Sequence, residues 1–298
     1  MRILLFGKNG QIGRELQRTL LPLGEVDARG RQEVDLEDVD RLRETLRQCA
    51  PAVIVNAAAY TSVDAAESDE ESAYRVNAEA VGVMASHAAA SAALLVHYST
   101  DYVFDGEKPG AYVEFDATNP QNVYGRSKRA GEDAIRRSGC NALVLRTSWV
   151  YSVHGTNFVK TILRLAREKS RIEVVADQHG APTSAELIAD VTMLAIFARK
   201  KGHIPAGTFH LAASGETSRH GLACHVVAQA LARGIALTLR PQDICAVSSE
   251  TLRLPAKRPA NSRLNTSALA NALELHLPDW KVHVDRAVEQ FARDAARI

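Results

Sequence analysis

"LLFGKNGQIGRELQ", residues 4 to 17, runs from an apolar stretch through Gly7, Gly10 and Gly13 into an amphipathic helical pattern. A strand, a glycine turn and a helix in that order open a dinucleotide-binding βαβ unit, here with the spacing GxxGxxG. Gly7 permits the tight turn, Gly10 lets backbone approach a pyrophosphate, and Gly13 brings helix and strand close. The helix N-terminus offers unpaired N–H groups and a partial positive charge to phosphate. A plain turn uses the same residues, so the reading depends on what comes next.

The next stretches alternate. "EVDAR" (25–29) reads as a second strand and "DVDRLRETLRQC" (38–49) as an amphipathic helix. "AVIVNAAA" (52–59) is a third strand, free of charge as a parallel strand covered on both faces must be. A helix is expected across roughly 68–91 and a strand at "ALLVHYS" (93–99). Another helix should start near Asn119-Pro120 and stop at Gly139, with a fifth strand at "NALVLRTS" (141–148). This rhythm predicts an α/β fold, a doubly wound parallel sheet of the Rossmann type. After residue 150 it loosens into helical patterns at 156–169, 183–201 and 217–232, and "RLPAKRPANSRLN" (253–265) reads as an irregular loop. The expected division is a dinucleotide-binding domain over 1–150, with a returning segment from the second half, and a smaller C-terminal α+β substrate-binding domain over 151–298.

Bulk properties bound the function. The 298 residues suffice for that arrangement, and 46% hydrophobic content argues against disorder. A formal charge of +1 provides no field for nucleic acid or anionic membrane. "MRILLFG" is too short an apolar run for a secretory leader, and no run reaches the length of a membrane span. Cys49, Cys140, Cys224 and Cys245 lie far apart without a CxxC, as isolated thiols in a reducing compartment would. The expectation is a soluble cytoplasmic protein, monomer or homodimer, acting on a small molecule.

The chemistry is carried by two stretches. "HYSTDYVFDG" (97–106) takes a strand into a polar tip at Ser99, Thr100 and Asp101, where sites of doubly wound sheets lie. "NVYGRSK" (122–128) sets Tyr124 and Lys128 four apart on a helix, so both heads reach one point. Thr100 would hydrogen-bond a substrate carbonyl, unless it only caps a turn. Tyr124 would exchange a proton, and a nearby Lys128 ammonium should lower its pKa from about 10. Lys128 can also hold a nicotinamide ribose. At the end of the second strand, "VDARGRQEVD" (26–35) places Arg29 and Arg31 where an arginine accommodates the 2′-phosphate of NADP. NADPH is therefore expected, with NADH possible; a solvated charged turn is the alternative.

These stretches, with "NAAAYT" (56–61), resemble the extended short-chain dehydrogenase/reductase family. "VDAAE" (63–67), "RTSWVY" (146–151), "GAPT" (180–183) and "RPANSRLNT" (258–266) narrow the likeness to its dTDP-4-dehydrorhamnose reductase branch, end to end. The resemblance implies NAD(P)H-dependent reduction of the C4 ketone of dTDP-4-dehydro-L-rhamnose, the last step of dTDP-rhamnose synthesis for cell-surface polysaccharide. It implies Thr100, Tyr124 and Lys128 as catalytic residues. Gly10, Gln11 and Ile12 would bind pyrophosphate, Asp35 and Leu36 the adenine side, and Ala59, Tyr60 and Thr61 the ribose-phosphate side. Thr100, Asp101 and Trp149 would meet the deoxysugar, with core filling the alternative for Trp149. Some members dimerise through magnesium, and Glu15 and Glu186 fall at matching positions. Other readings are a different nucleotide-sugar 4-ketoreductase or epimerase, and a non-catalytic NADP-binding subunit like that associated with methionine adenosyltransferase.

Overall fold

The structure, a computed structural model, describes residues 1–252 and 254–295. Six strands form one parallel sheet: β1 (Arg2–Phe6), β2 (Glu25–Arg29), β3 (Val53–Asn56), β4 (Leu94–Thr100), β5 (Ala142–Thr147) and β6 (Gly207–His210). Their order is β6-β5-β4-β3-β1-β2. Every residue of β3, β4 and β5 is buried, because alternate side chains enter cores on opposite faces. Ile3, Leu5, Val55 and Val96 face one core; Leu4, Phe6, Ile54 and Leu95 face the other. Two buried faces explain why the three strands carry only one formal charge among them, that of Arg146.

The chain steps from β1 outward to β2, then returns to place β3 on β1's other side. At such a reversal the connections diverge and leave a crevice above the C-terminal strand ends. The glycine turn fills that spot. Gly7 has φ +87°, which few side chains tolerate, and a Cβ on it would sit 2.6 Å from the Ala57 backbone. A Cβ on Gly13 would come within 2.0 Å of the Gly7 carbonyl, so helix α1 (Gln11–Thr19) packs as close as only glycine allows.

Helix α2 (Val39–Cys49) starts behind Asp38, whose carboxylate accepts from Arg41 N at 2.9 Å. The helix expected over 68–91 is not continuous. A short helix at Glu70–Tyr74 passes through a π-helical turn at Arg75–Glu79 into α3 (Ala80–Ser91). The wider turn carries Asn77, which accepts from Tyr60 N at 2.9 Å and donates to Tyr60 O and Ser127 Oγ, both at 3.0 Å. One buried amide thus ties the loop after β3 to helix α4 (Val123–Ser138). That helix begins at Val123 rather than near Pro120, since Asn122 caps it by accepting from Gly125 N at 2.8 Å. It ends at Gly139 in the left-handed conformation.

The second half supplies α5 (Phe158–Glu168), α6 (Ala185–Lys200), β6, α7 (Arg219–Ala232) and α8 (Trp280–Ala295). In the expected loop 253–265, Arg253 lies outside the described residues. From 254 onward the segment makes only isolated bridges, His179 with Asn261 and Tyr112 with Leu264. No helix among the described residues is long and apolar enough to cross a membrane.

Candidate active site

Above the strand ends lies a cavity of roughly 1030 Å³, at the upper end of the range for ligand sites. Its floor is the glycine turn and the tips of β3, β4 and β5. Gly7, Gly10, Gln11 and Ile12 line it, as do Arg31, Asp35, Leu36, Ala59, Tyr60 and Thr61. Thr100, Asp101, Tyr124, Lys128 and Trp149 complete the wall.

Arg29 is not in that wall. Asp27 and Arg29 are two apart on β2, so they share a face and pair with each other, Nη2 to Oδ2 at 2.8 Å. Only the Arg29 carbonyl reaches the glycine turn, accepting from Gly7 N at 2.9 Å. Arg31 stands at the mouth beside Asp35 (3.0 Å) and Glu37 (2.9 Å). The expectation of two arginines at the adenosine ribose therefore reduces to one.

At the other end, the Thr100 hydroxyl accepts from Tyr102 N at 3.2 Å and donates to Asp101 Oδ1 at 3.1 Å. Asp101 is buried with Oδ2 unpartnered, and burial lifts its carboxyl to about 6, with Thr100 and Ser262 opposing. Tyr124 stands edge-on to Tyr102, ring centroids 5.4 Å apart. Its phenol is raised above the usual range by burial; the Thr100 hydroxyl opposes this and the Asp101 charge adds to it. That reverses the expected lowering by lysine, and the reason is geometric. The Lys128 ammonium donates to the Tyr98 carbonyl at 2.7 Å and lies 3.2 Å from His97 Nε2, below the strand tip. Burial brings Lys128 down to about 8 and holds His97 neutral. One ammonium proton is thus directed at the Tyr98 carbonyl, and the others remain for the cavity.

The quoted motifs of the rim engage one another. Asp64 of "VDAAE" holds Arg258 of "RPANSRLNT" at 2.7 and 3.0 Å, and Glu67 accepts from Val123 N at 2.7 Å, fixing the start of the tyrosine helix. Trp149 has φ +49°, an uncommon backbone for a bulky residue. Its indole lies so near Gly180 of "GAPT" that a Cβ there would meet the ring at 2.8 Å. Across from it, Gln11 Oε1 accepts from Asn157 Nδ2 at 2.9 Å, tying the phosphate loop to the N-cap of α5.

Some lining residues had no signal in the sequence. Phe158, Gln178, Arg219 and the pair Leu252 and Leu254 come from four separate stretches of the second half. Arg219 follows "ETS" as an ordinary helix start, and nothing in its neighbours marks it.

Glu15 and Glu186 lie away from this cavity. They sense each other: burial raises the Glu15 carboxyl, and Glu186 adds to it. Glu186 already has His283 at 3.6 Å and Arg286 at 3.5 Å. Magnesium wants near-octahedral oxygen coordination, and no group of three or more His, Cys, Asp or Glu among the described residues is arranged for a metal. Within one chain this pair does not fit the ion.

The description "RmlD substrate binding domain" fits residues 1–293. The dTDP-4-dehydrorhamnose reductase of Escherichia coli strain K12 is 46% identical over 295 residues, which is 98% of each chain. Among solved structures, the dTDP-4-dehydrorhamnose reductase of Clostridium acetobutylicum superposes over 100% of both chains with TM-score 0.87 and 32% identity. That of Bacillus anthracis, in complex with NADP, covers 97% of this chain and 99% of its own, with TM-score 0.86 and 32% identity.

Proposed function

The chain belongs to the RmlD substrate binding domain family, and on that footing we propose that it reduces the C4 ketone of dTDP-4-dehydro-L-rhamnose, giving dTDP-L-rhamnose, with NADPH as reductant. The observation that carries the reading is the meeting of Thr100 and Tyr124 at the cavity wall, above Lys128 and beside the glycine turn.

The cofactor, when bound, supplies the hydride. Its pyrophosphate would be held by the free backbone N–H groups of Gln11 and Ile12 at the α1 N-terminus, with Gly10, whose own N–H donates to the Gly7 carbonyl, allowing the close approach. Its adenosine lies against Asp35 and Leu36, with Arg31 in reach of a 2′-phosphate. Ala59, Tyr60 and Thr61 line the ribose-phosphate side. The ammonium protons of Lys128 that the Tyr98 carbonyl leaves free would hold the nicotinamide ribose. Residues 1–150 do this work and also carry Trp149, while 151–298 close the sugar side through Arg219 and Arg258.

Tyr124 is the acid. A partly buried phenol with a raised pKa keeps its proton at neutral pH, the form that must deliver it to the C4 oxygen as hydride arrives. Thr100 orients the carbonyl by hydrogen bonding, and Asp101, at the sugar end of the cavity wall, accepts the Thr100 hydroxyl. Steady-state kinetics with dTDP-4-dehydrorhamnose and each reduced cofactor test this by loss of absorbance at 340 nm. Tyr124→Phe should lower kcat by roughly 100- to 10,000-fold and leave NADPH affinity within a few-fold. Cofactor binding without any absorbance loss in the unmodified enzyme overturns the reading.

A further inference from the structure

Four cationic side chains line the cavity, and three already have partners. Arg31 faces Asp35 and Glu37, Arg258 is gripped by Asp64, and Lys128 donates to the Tyr98 carbonyl. Arg219 differs. It opens α7, and its guanidinium stacks 3.8 Å over the Trp149 ring and 5.1 Å over that of Phe158. Among the described residues its side chain makes neither an ion pair nor a hydrogen bond. Asp101 is near enough for its charge to be felt, yet no hydrogen bond joins the two.

Stacking fixes the plane of a guanidinium while leaving its N–H fork free to bind a planar or tetrahedral anion. A charge sunk in a cleft without a counter-ion costs free energy, which a ligand anion would offset. The neighbours of Arg219 locate that anion. Trp149, Asp101, Tyr102 and Arg258 belong to the sugar end, whereas the cofactor's diphosphate has the amides of the glycine turn at the other. Beyond Arg219, the half-exposed Leu252 and Leu254 offer an apolar surface suited to a base.

We propose that Arg219 anchors the diphosphate of the nucleotide-linked sugar, holding it while Thr100 and Tyr124 address the ketone. This rests on the reaction given above, and deepens it by naming what grips the substrate's charged end. Trp149 is then a platform for the arginine as well as a wall for the sugar.

Calorimetric titration of the NADP-loaded enzyme with thymidine diphosphate and with thymidine tests the assignment. Arg219→Met keeps an apolar chain against Trp149 and removes the charge. It should weaken thymidine diphosphate by roughly 10- to 100-fold, the loss of charged hydrogen bonds, and leave thymidine and NADPH within about twofold. Arg219→Lys should recover part of the loss, and the KM for the ketosugar nucleotide should rise far more than kcat falls. Unchanged diphosphate affinity in Arg219→Met overturns the proposal. So does equal weakening of thymidine, which marks a structural role, or equal weakening of NADPH, which gives Arg219 to the cofactor. The titration needs no turnover: a wild-type enzyme inactive on the ketosugar would overturn the reaction while a lost diphosphate affinity still upheld the anchor.

Discussion

Arg146 grips Glu132 by two hydrogen bonds, Nε to Oε1 at 2.8 Å and Nη2 to Oε2 at 2.7 Å, with both side chains buried. The pair joins β5 to α4 one helical turn beyond Lys128, so it fixes the rotation of the helix that presents Tyr124. Burial works against the Glu132 charge, but Arg146 outweighs it and keeps the carboxyl below its ordinary range. Glu132→Gln should cost about 3–5 kcal/mol, since it leaves a buried guanidinium uncompensated. A double change, Glu132→Leu with Arg146→Met, should recover most of that stability. Urea midpoints for the three proteins check this, and a Glu132→Gln protein within 1 kcal/mol of wild type would refute it.

Lys128 sets an upper pH limit. Its ammonium is brought down to about 8 by burial, and the charged form is the stronger donor both to the Tyr98 carbonyl and to a ribose. The kcat/KM should therefore fall as pH rises through about 8. Profiles of kcat/KM across that region provide the check, and a rate still flat well above it would remove Lys128 from the role.

Cofactor preference should separate the two arginines after β2. Arg31 lines the cavity and Arg29 is turned to Asp27. Arg31→Ala should weaken NADPH by roughly tenfold, the loss of a charge-assisted contact, and leave NADH almost untouched. Arg29→Ala should affect both cofactors alike. Fluorescence titration of the four combinations decides, and equal losses of NADPH and NADH in Arg31→Ala would end the 2′-phosphate assignment.

Asp101 carries a stability cost with a defined sign. Its carboxyl is raised from 3.8 to about 6, chiefly by burial, so the folded state binds the proton more tightly than the unfolded chain does. The stability this group permits is present below pH 3.8 and is lost as pH rises through about 6. At about 1.4 kcal/mol per pH unit, the loss across the window is on the order of 3 kcal/mol. Asp101→Asn should stay flat there and be the more stable protein at pH 7. Parallel wild-type and variant curves from urea melts would contradict this.

The sheet was readable because β3 and β4 are buried on both faces, which forces long uncharged runs such as "AVIVNAAA". Tyr124 and Lys128 were readable because helical spacing is local. What escaped was set by distant contacts. Asn77's amide opens a π turn inside a stretch that reads as ordinary helix. Arg29 and Arg31 look equivalent in the sequence, but β2 ends at Arg29, so Arg29 shares a strand face with Asp27 and Arg31 lies beyond it in the turn. The expected effect of Lys128 on the Tyr124 phenol failed because a carbonyl on β4 holds the ammonium lower down. Ile172–Val175 pairs with Ile244–Val247, a partnership across some seventy residues that no local pattern announces.

Strand β6, which comes after residue 200, closes the sheet against β5 in parallel register, Gly207 beside Leu143 through His210 beside Arg146. The nucleotide-binding layer is thus not a detachable cassette, even though most of it is encoded by the first half of the chain. A fragment ending near residue 150 would display the raw flank of "ALVLRT" and invite edge-to-edge aggregation. Deletion or fusion designs must therefore carry both ends of the chain together.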